Sequence, residues 1–236
     1  MRSIFGKLYR HLPAAPSTNY LYRRFKPSPY DFLPHGATIY DIGAKSAAGR
    51  YAFGVPPTDA RVVAVDLVAG PGVDIVADAH DLSMLPASSA DCVLIVSVLE
   101  YCHTPQQVVV QALRLLKPGG ILYIGAAFLL KLSPDPIDYY RFSVHGLRHL
   151  CRDFEIIDAG SNRGPASTMC DLTVHYFAIL LCFGSSVLYG LLTYALRWIL
   201  FWTKYADAVI AHYSVASVLQ GTVYVIARKR VAGQAV

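Results

Sequence analysis

Three aspartates follow short apolar runs where a strand would end. Asp41 follows Thr38-Ile39-Tyr40, Asp66 follows Arg61 to Val65, and Asp78 follows Val73 to Ala77. Asp41 leads into Ile42-Gly43-Ala44-Lys45-Ser46-Ala47-Ala48-Gly49, a loop of small side chains that reads as strand, tight turn and helix start. Glycine in such a turn lets backbone N–H groups come close to a ligand, because it has no Cβ and tolerates positive φ. Asp66 stands 25 residues after Asp41, the spacing at which an acid takes both hydroxyls of a ribose. Any one of these acids is explained by turn formation or helix capping. Their joint placement at three successive strand ends points to a nucleoside-containing cofactor.

The elements that must position these acids are legible as continuous β-branched runs. Arg61 to Leu67, Val73 to Ala77, Cys92 to Val98 and Ile121 to Gly125 have the pattern of buried parallel strands. Between the last two, Thr104 as N-cap, Pro105 at the first helical position and Gln107 completing a capping box predict a helix, which Lys117-Pro118-Gly119-Gly120 stops. Strands alternating with helices predict a doubly wound, Rossmann-like α/β sheet, with ligands at the carboxyl ends of the strands. Ser97 to Glu100, after the fourth run, fall at the same edge as the acids.

Composition narrows the classes. The chain has 236 residues, 54% of them hydrophobic, which is high for a single water-soluble core. Its net charge is +5, with Lys and Arg dispersed apart from a cluster near the N-terminus, so no strong electrostatic footprint for nucleic acid is visible. Five cysteines without CxxC spacing suit a reduced, cytoplasmic chain with no cysteine metal site. Residues 1–36 form a basic, aromatic-rich N-terminal arm broken by Pro13, Pro16, Pro27, Pro29 and Pro34, with no long apolar core of an export signal.

The strings DIGAKSAAG, VVAVDL, VDIVADAHDL, SSADCVLIVSVLEY, TPQQVVVQALRLLKPGGILYIGAAF and PDPIDYYRFSVHGLRHL resemble, in this order, the class I S-adenosylmethionine-dependent methyltransferases. They are most similar to the bacterial branch associated with glycan and cell-envelope synthesis. The resemblance spans roughly 37–160 and resumes at 222–229, which makes 37–236 one methyltransferase domain. It implies a seven-stranded sheet with an antiparallel last strand. It also places Asp41, Gly43 and Ala44 against the methionine part of S-adenosylmethionine, Asp66 and Leu67 at the ribose, Asp78 and Ala79 at the adenine, and Ser97 to Glu100 near the sulfonium; Lys45 either contacts the cofactor carboxylate or points to solvent. Two residues depart from the family pattern: Lys45 stands where a second glycine is usual, and Leu99-Glu100-Tyr101 replaces Leu-Glu-His. These departures motivate the alternative of a non-catalytic scaffold on the same fold. An NAD(P)-dependent oxidoreductase fits less well, since the one Tyr-x-x-x-Lys pair, Tyr22 to Lys26, precedes the fold.

Methyl transfer to an oxygen or nitrogen is an in-line displacement at an already activated carbon, so alignment supplies most of the rate and a base helps an oxygen acceptor. His103, His80 and His145 are candidate bases, with His80 in a structural rather than a catalytic place. Asp138, Tyr139, Tyr140 and Arg141 are candidates for contact with a small-molecule, glycan or lipid-linked acceptor. The same segment also suits a plain structural role, anchoring the helix that Ser143 would cap.

The surplus hydrophobicity lies in an apolar helical insertion, about 166–220, before the last strand at 221–227. Leu172 to Leu196 contains no Lys, Arg, Asp or Glu. One crossing of a bilayer is excluded because both ends return to one sheet, and two crossings need about 40 residues plus a turn. The remaining readings are a hairpin bent at Gly184-Ser185-Ser186 and dipping into one leaflet, an interfacial helix, or a hairpin buried in the domain or a homodimer. Arg197, Trp198, Trp202 and Lys204 suit a membrane interface, which gives peripheral or monotopic association through 172–202 at the cytoplasmic face.

Overall fold

The computed structural model describes residues 13–20, 28–44, 55–133 and 136–231; Lys45, Gly49 and the start of the helix expected after Gly43 lie outside them. The chain divides into two compact units, Leu21–Asn162 with Gly221–Val236, and Arg163–Gln220 with Met1–Tyr20.

The first unit is built on seven strands: β1 (Thr38–Ile42), β2 (Arg61–Asp66), β3 (Ile75–Val76), β4 (Ala90–Val96), β5 (Leu116–Ala127), β6 (Phe154–Ser161) and β7 (Thr222–Lys229). Their order in the sheet is β3-β2-β1-β4-β5-β7-β6. β1 to β5 are parallel, and β7 runs antiparallel to both β5 and β6, as the resemblance implied. Register sets the strand ends level: Ile42 lies opposite Val65 and Ile95, and Val96 opposite Gly125. The chain steps outward from β1 to β3, then returns to lay β4 beside β1. That reversal opens a crevice at the carboxyl ends of β1 and β4, where ligands of such sheets bind.

Successive side chains alternate between the two faces. Tyr40, Ile42, Val93 and Ile95 pack on one face with α1 (Pro105–Leu115) and α2 (Val144–Leu150) through Val108, Leu115 and Leu147. Ile39, Cys92, Leu94 and Tyr123 pack on the other, covered by Tyr30 and Phe32 of a short 3-10 turn.

Two expectations need correction, the third strand and the capping box. The third run forms a two-residue edge strand with Val76 half exposed, because it has a single neighbour and Asp74 leaves the ladder, its carboxylate taking the Ala64 N–H at 2.8 Å. Residues 77–89 contain no helix, since Asp78 and Asp81 bend the backbone by accepting the N–H groups of His80 and Ser83. Buried Leu82 and Leu85 and the Arg114 guanidinium, which donates to both of their carbonyls, pin this loop. The capping box of α1 does not form. Thr104 makes no side-chain cap, and the Gln107 amide donates instead to the His80 carbonyl at 2.9 Å. Pro105 does open the helix, and Gly119, at φ +81, turns the chain inside the long β5.

The second unit is a helical hairpin with a short cover. α3 (Pro165–Leu181) and α4 (Ser186–Leu200) are joined by Phe183 and Gly184, both at positive φ, and Ser185 caps α4 by accepting the Leu188 N–H. Asp207, the first residue of α5 (Asp207–Ile210), is fully buried and caps α3 by accepting the N–H groups of Ala166 and Ser167 at 2.8 and 2.9 Å. Residues 13–20 join the hairpin through Thr18 to Asp171, the Tyr20 N–H to Ser167, and Lys204 to the Ser17 carbonyl. No helix among the described residues is long and apolar enough to cross a membrane.

Candidate active site

Gly43 is the first residue beyond β1 and has φ +78. A Cβ there would lie 2.2 Å from Cγ2 of Val98, so neither the conformation nor the space admits a larger residue. The Gly43 N–H donates to the Val65 carbonyl at 2.8 Å, fixing the turn against β2. On the other side of the crevice, Ser97 adopts φ +54, unusual for a residue with a side chain, and its N–H donates to the Gly125 carbonyl at 2.8 Å. The two loops that flank the switch point are therefore held in left-handed turns in contact with each other.

Asp41 is buried, 1% exposed, one residue from the end of β1, and Ala44 is buried beyond the turn. Burial, reinforced by the Asp41 charge, pushes the Cys92 thiol far up, so that cysteine is a packing group rather than a nucleophile. Asp66 ends β2 and accepts the Val68 N–H at 3.0 Å, an Asx turn that leaves Leu67 largely exposed. Asp78 accepts from the His80 N–H at 2.9 Å and meets His80 Nδ1 at 2.7 Å. The backbone bond leads the causes that hold its carboxyl below the usual range. Ala79 packs against the core beside it.

Glu100 is 2% exposed in the 3-10 turn Leu99–Tyr101. One carboxylate oxygen accepts the Ala127 N–H, while Oε2 is buried without a hydrogen-bond partner among the described residues. Burial raises its pKa. Its main-chain carbonyl accepts the N–H groups of Tyr139 and Tyr140 at 2.7 and 3.2 Å, tying the Asp138-to-Arg141 segment to the end of β4. Arg141 grips Asp138 with both terminal nitrogens and donates to the Lys131 carbonyl. That pair holds the Asp138 carboxyl low and the guanidinium high.

The candidate bases separate. His103 is exposed, stacks on His80 with ring centroids 4.2 Å apart, and accepts the Tyr140 hydroxyl on its carbonyl at 3.2 Å. Asp78, His80, His103 and Tyr140 thus form one connected chain of contacts. His80 is its structural link, also taking the Thr104 N–H at 3.4 Å. His145 is exposed on α2, which packs on β6 and β7. Tyr139 and Tyr140 are 51% and 41% exposed. Lys45 lies outside the described residues. Sequence reasoning missed the Val98 contact of Gly43, the Ala127 bond of Glu100 and the Arg114 anchor; each joins residues far apart in the chain, and no local pattern announces it.

Residues 41–124 match a family model described as a methyltransferase domain. No curated protein matches the chain. Among solved structures, the [4+2]-cyclase SpnF is 18% identical with TM-score 0.54, covering 97% of this chain and 96% of that one. Phosphoethanolamine N-methyltransferase 2 of Haemonchus contortus, in complex with S-adenosyl-L-methionine, is 17% identical with TM-score 0.53, covering 89% of this chain and 51% of that one. A Haloferax volcanii protein provisionally assigned as a methyltransferase, in complex with the Trm112 methyltransferase activator, is 17% identical with TM-score 0.51, covering 88% and 89%. At these identities the likeness is one of fold, and it agrees with the seven-stranded sheet.

Proposed function

We propose that this chain, an S-adenosylmethionine-dependent methyltransferase by its domain, moves the methyl group to an oxygen or nitrogen of a small-molecule, glycan or lipid-linked acceptor. The observation that carries the reading is the switch-point crevice, where the turn at Gly43, the acids Asp41, Asp66 and Asp78, and the Ser97–Glu100 turn share one edge of the sheet. These residues fit the cofactor by chemistry. Asp66 would accept the ribose hydroxyls, Asp78 and Ala79 would border the adenine, and Asp41, Gly43 and Ala44 would border the methionine part. The buried Glu100 carboxyl fixes the floor of the site to Ala127 and, through its carbonyl, to Tyr139 and Tyr140.

Bound S-adenosylmethionine supplies a methyl carbon activated by its sulfonium. The protein aligns the acceptor with that carbon, through Tyr139, Tyr140 and Arg141, and excludes water. With the cofactor bound, His103, whose carbonyl accepts the Tyr140 hydroxyl, would take the proton that the acceptor loses. The SpnF likeness favours keeping a second reading, since the same fold carries a different reaction. Tyr101 in place of the family histidine points the same way, toward a cofactor-fold scaffold.

The hairpin bears on the acceptor. α4 buries none of its residues, and Ile179, Leu180, Phe183 and Val187 around the bend are exposed, Phe183 by 88%. An apolar patch of this kind needs a partner. The reading it supports is insertion of the bend into one leaflet, at the cytoplasmic face, with a lipid-linked or envelope acceptor. Calorimetric titration with S-adenosylmethionine, its demethylated product, NAD and NADP tests the cofactor reading. Micromolar binding of the first pair alone supports it, binding of nicotinamide cofactors alone overturns it, and saturable binding without turnover of any acceptor favours the scaffold.

A further inference from the structure

The helical unit carries a pocket between α3, α4 and residues 13–15. Arg197, Thr193 and Tyr194 of α4 and His175 of α3 surround an open space of about 430 Å³, closed on one side by residues 13–15. The charge in it is not matched. Arg197 is the one Lys or Arg among the lining residues, and its Nε is buried with no hydrogen-bond partner among the described residues. Its nearest acid is Asp171, at 4.0 Å from a terminal nitrogen, and that carboxylate already meets Arg163 at 3.5 Å and the Thr18 hydroxyl at 3.0 Å. One aspartate therefore faces two guanidinium groups. Thr193 and Tyr194 donate their hydroxyl protons to the carbonyls of Gly190 and Pro13, so an anion entering the pocket is met by Arg197. A guanidinium with donors left over is suited to phosphate.

Position along the hairpin decides the source of that phosphate. From Ser186 at the bend to Arg197, α4 rises eleven residues at about 1.5 Å each, or roughly 17 Å. The hydrocarbon half of a bilayer is about 15 Å thick. The bend and the turns above it contain no charged residue, while the first cation, Arg197, arrives together with Trp198 and Trp202, the residue types that collect at the headgroup level. A hairpin inserted from its bend brings Arg197, at the outer end of the pocket, to the depth of the lipid phosphates, while Gly190 and Thr193 line its deeper end.

We propose that the His175–Thr193–Tyr194–Arg197 pocket holds the phosphate of an anionic lipid headgroup when the hairpin is inserted in one leaflet. This rests on the membrane reading of the hairpin given above. The test is co-sedimentation of the full chain with vesicles of phosphatidylcholine alone and of phosphatidylcholine mixed with phosphatidylglycerol, for the wild type, Arg197→Gln, Arg197→Lys and Arg228→Gln. Arg228 belongs to the first unit and pairs with Glu155. The wild type is expected to bind the anionic vesicles at least about fivefold more tightly, the factor for one basic side chain at a charged surface. Arg197→Gln should lose that preference while keeping its binding to neutral vesicles, Arg197→Lys should keep most of it, and Arg228→Gln should keep all of it. Circular-dichroism melts confirm that each variant is folded, and if Arg197→Gln is not, the uncharged Arg197→Met takes its place with the same loss expected. Binding to both vesicles without preference, or a preference that survives Arg197→Gln or falls equally with Arg228→Gln, overturns the headgroup site and leaves the membrane reading standing. No binding to either vesicle overturns both. Millimolar or tighter binding of inorganic phosphate by calorimetry, lost in Arg197→Gln and without vesicle preference, assigns the pocket to free phosphate and overturns the lipid source.

Discussion

Replacing Gly43 with alanine tests the geometry of the crevice at its tightest point. Two costs add. Holding alanine at φ +78 costs about 1–2 kcal/mol, because a Cβ in the left-handed region crowds the following carbonyl. The new methyl would sit 2.2 Å from Cγ2 of Val98, and overpacking of that kind costs about 1–3 kcal/mol, with little relief from a β-branched side chain that is stiff at χ1. The sum is about 2–5 kcal/mol, visible in urea denaturation as a lower midpoint at unchanged slope. Val98→Ala removes Cγ2, so in a double-mutant cycle Gly43→Ala with Val98→Ala should recover the overpacking part and leave the conformational part, a coupling of about 1–3 kcal/mol. Purely additive losses would refute the contact between the two loops, and an unchanged midpoint for Gly43→Ala would refute the left-handed turn as well.

Three further outcomes follow from the same geometry. Asp66→Ala should weaken S-adenosylmethionine binding by tenfold or more in a titration while leaving the melting temperature within a few degrees; unchanged affinity would remove Asp66 from the ribose. Asp207→Ala leaves the Ala166 and Ser167 N–H groups without their cap and should destabilise the helical unit by about 2 kcal/mol, read as faster amide exchange in the first turn of α3. For Glu100, burial raises the folded pKa above the unfolded value near 4.5, so its contribution is fully present below pH 4.5 and is lost as pH rises through the raised folded value. Glu100→Gln keeps an acceptor for the Ala127 N–H and should flatten that part of the pH–stability curve; an identical curve would place the titration elsewhere.

Much of the architecture is legible in the chain because its cues are local. Apolar runs closed by Asp41, Asp66 and Asp78 mark the strands, and the charge-free stretch bent at Gly184 marks the hairpin. Pro105 and Ser143 mark helix starts, the latter by accepting the Gly146 N–H at 3.1 Å. What is not legible is decided across long separations. Gln107 leaves the expected capping box because the His80 carbonyl, 27 residues earlier, is the available acceptor. The 77–89 loop, bent locally at Asp78 and Asp81, is anchored by Arg114 on a later helix, which takes the Leu82 and Leu85 carbonyls. Asp207 caps a helix that begins some forty residues before it, and no spacing rule links the two. The candidate site shows the same split: the residue types at the strand ends are readable, while the Gly43–Val98 approach and the Glu100–Ala127 bond emerge only once the sheet brings β1, β4 and β5 side by side.

The cofactor is expected in the crevice at the carboxyl ends of β1 and β4. Hydrogen–deuterium exchange of the protein with and without saturating S-adenosylhomocysteine, the demethylated product, tests it most directly. New protection is expected at 41–44, 66–68, 78–80 and 97–100, with the strands beneath them already protected in both states. Protection confined to other segments, or none under conditions where calorimetry shows binding, would contradict it.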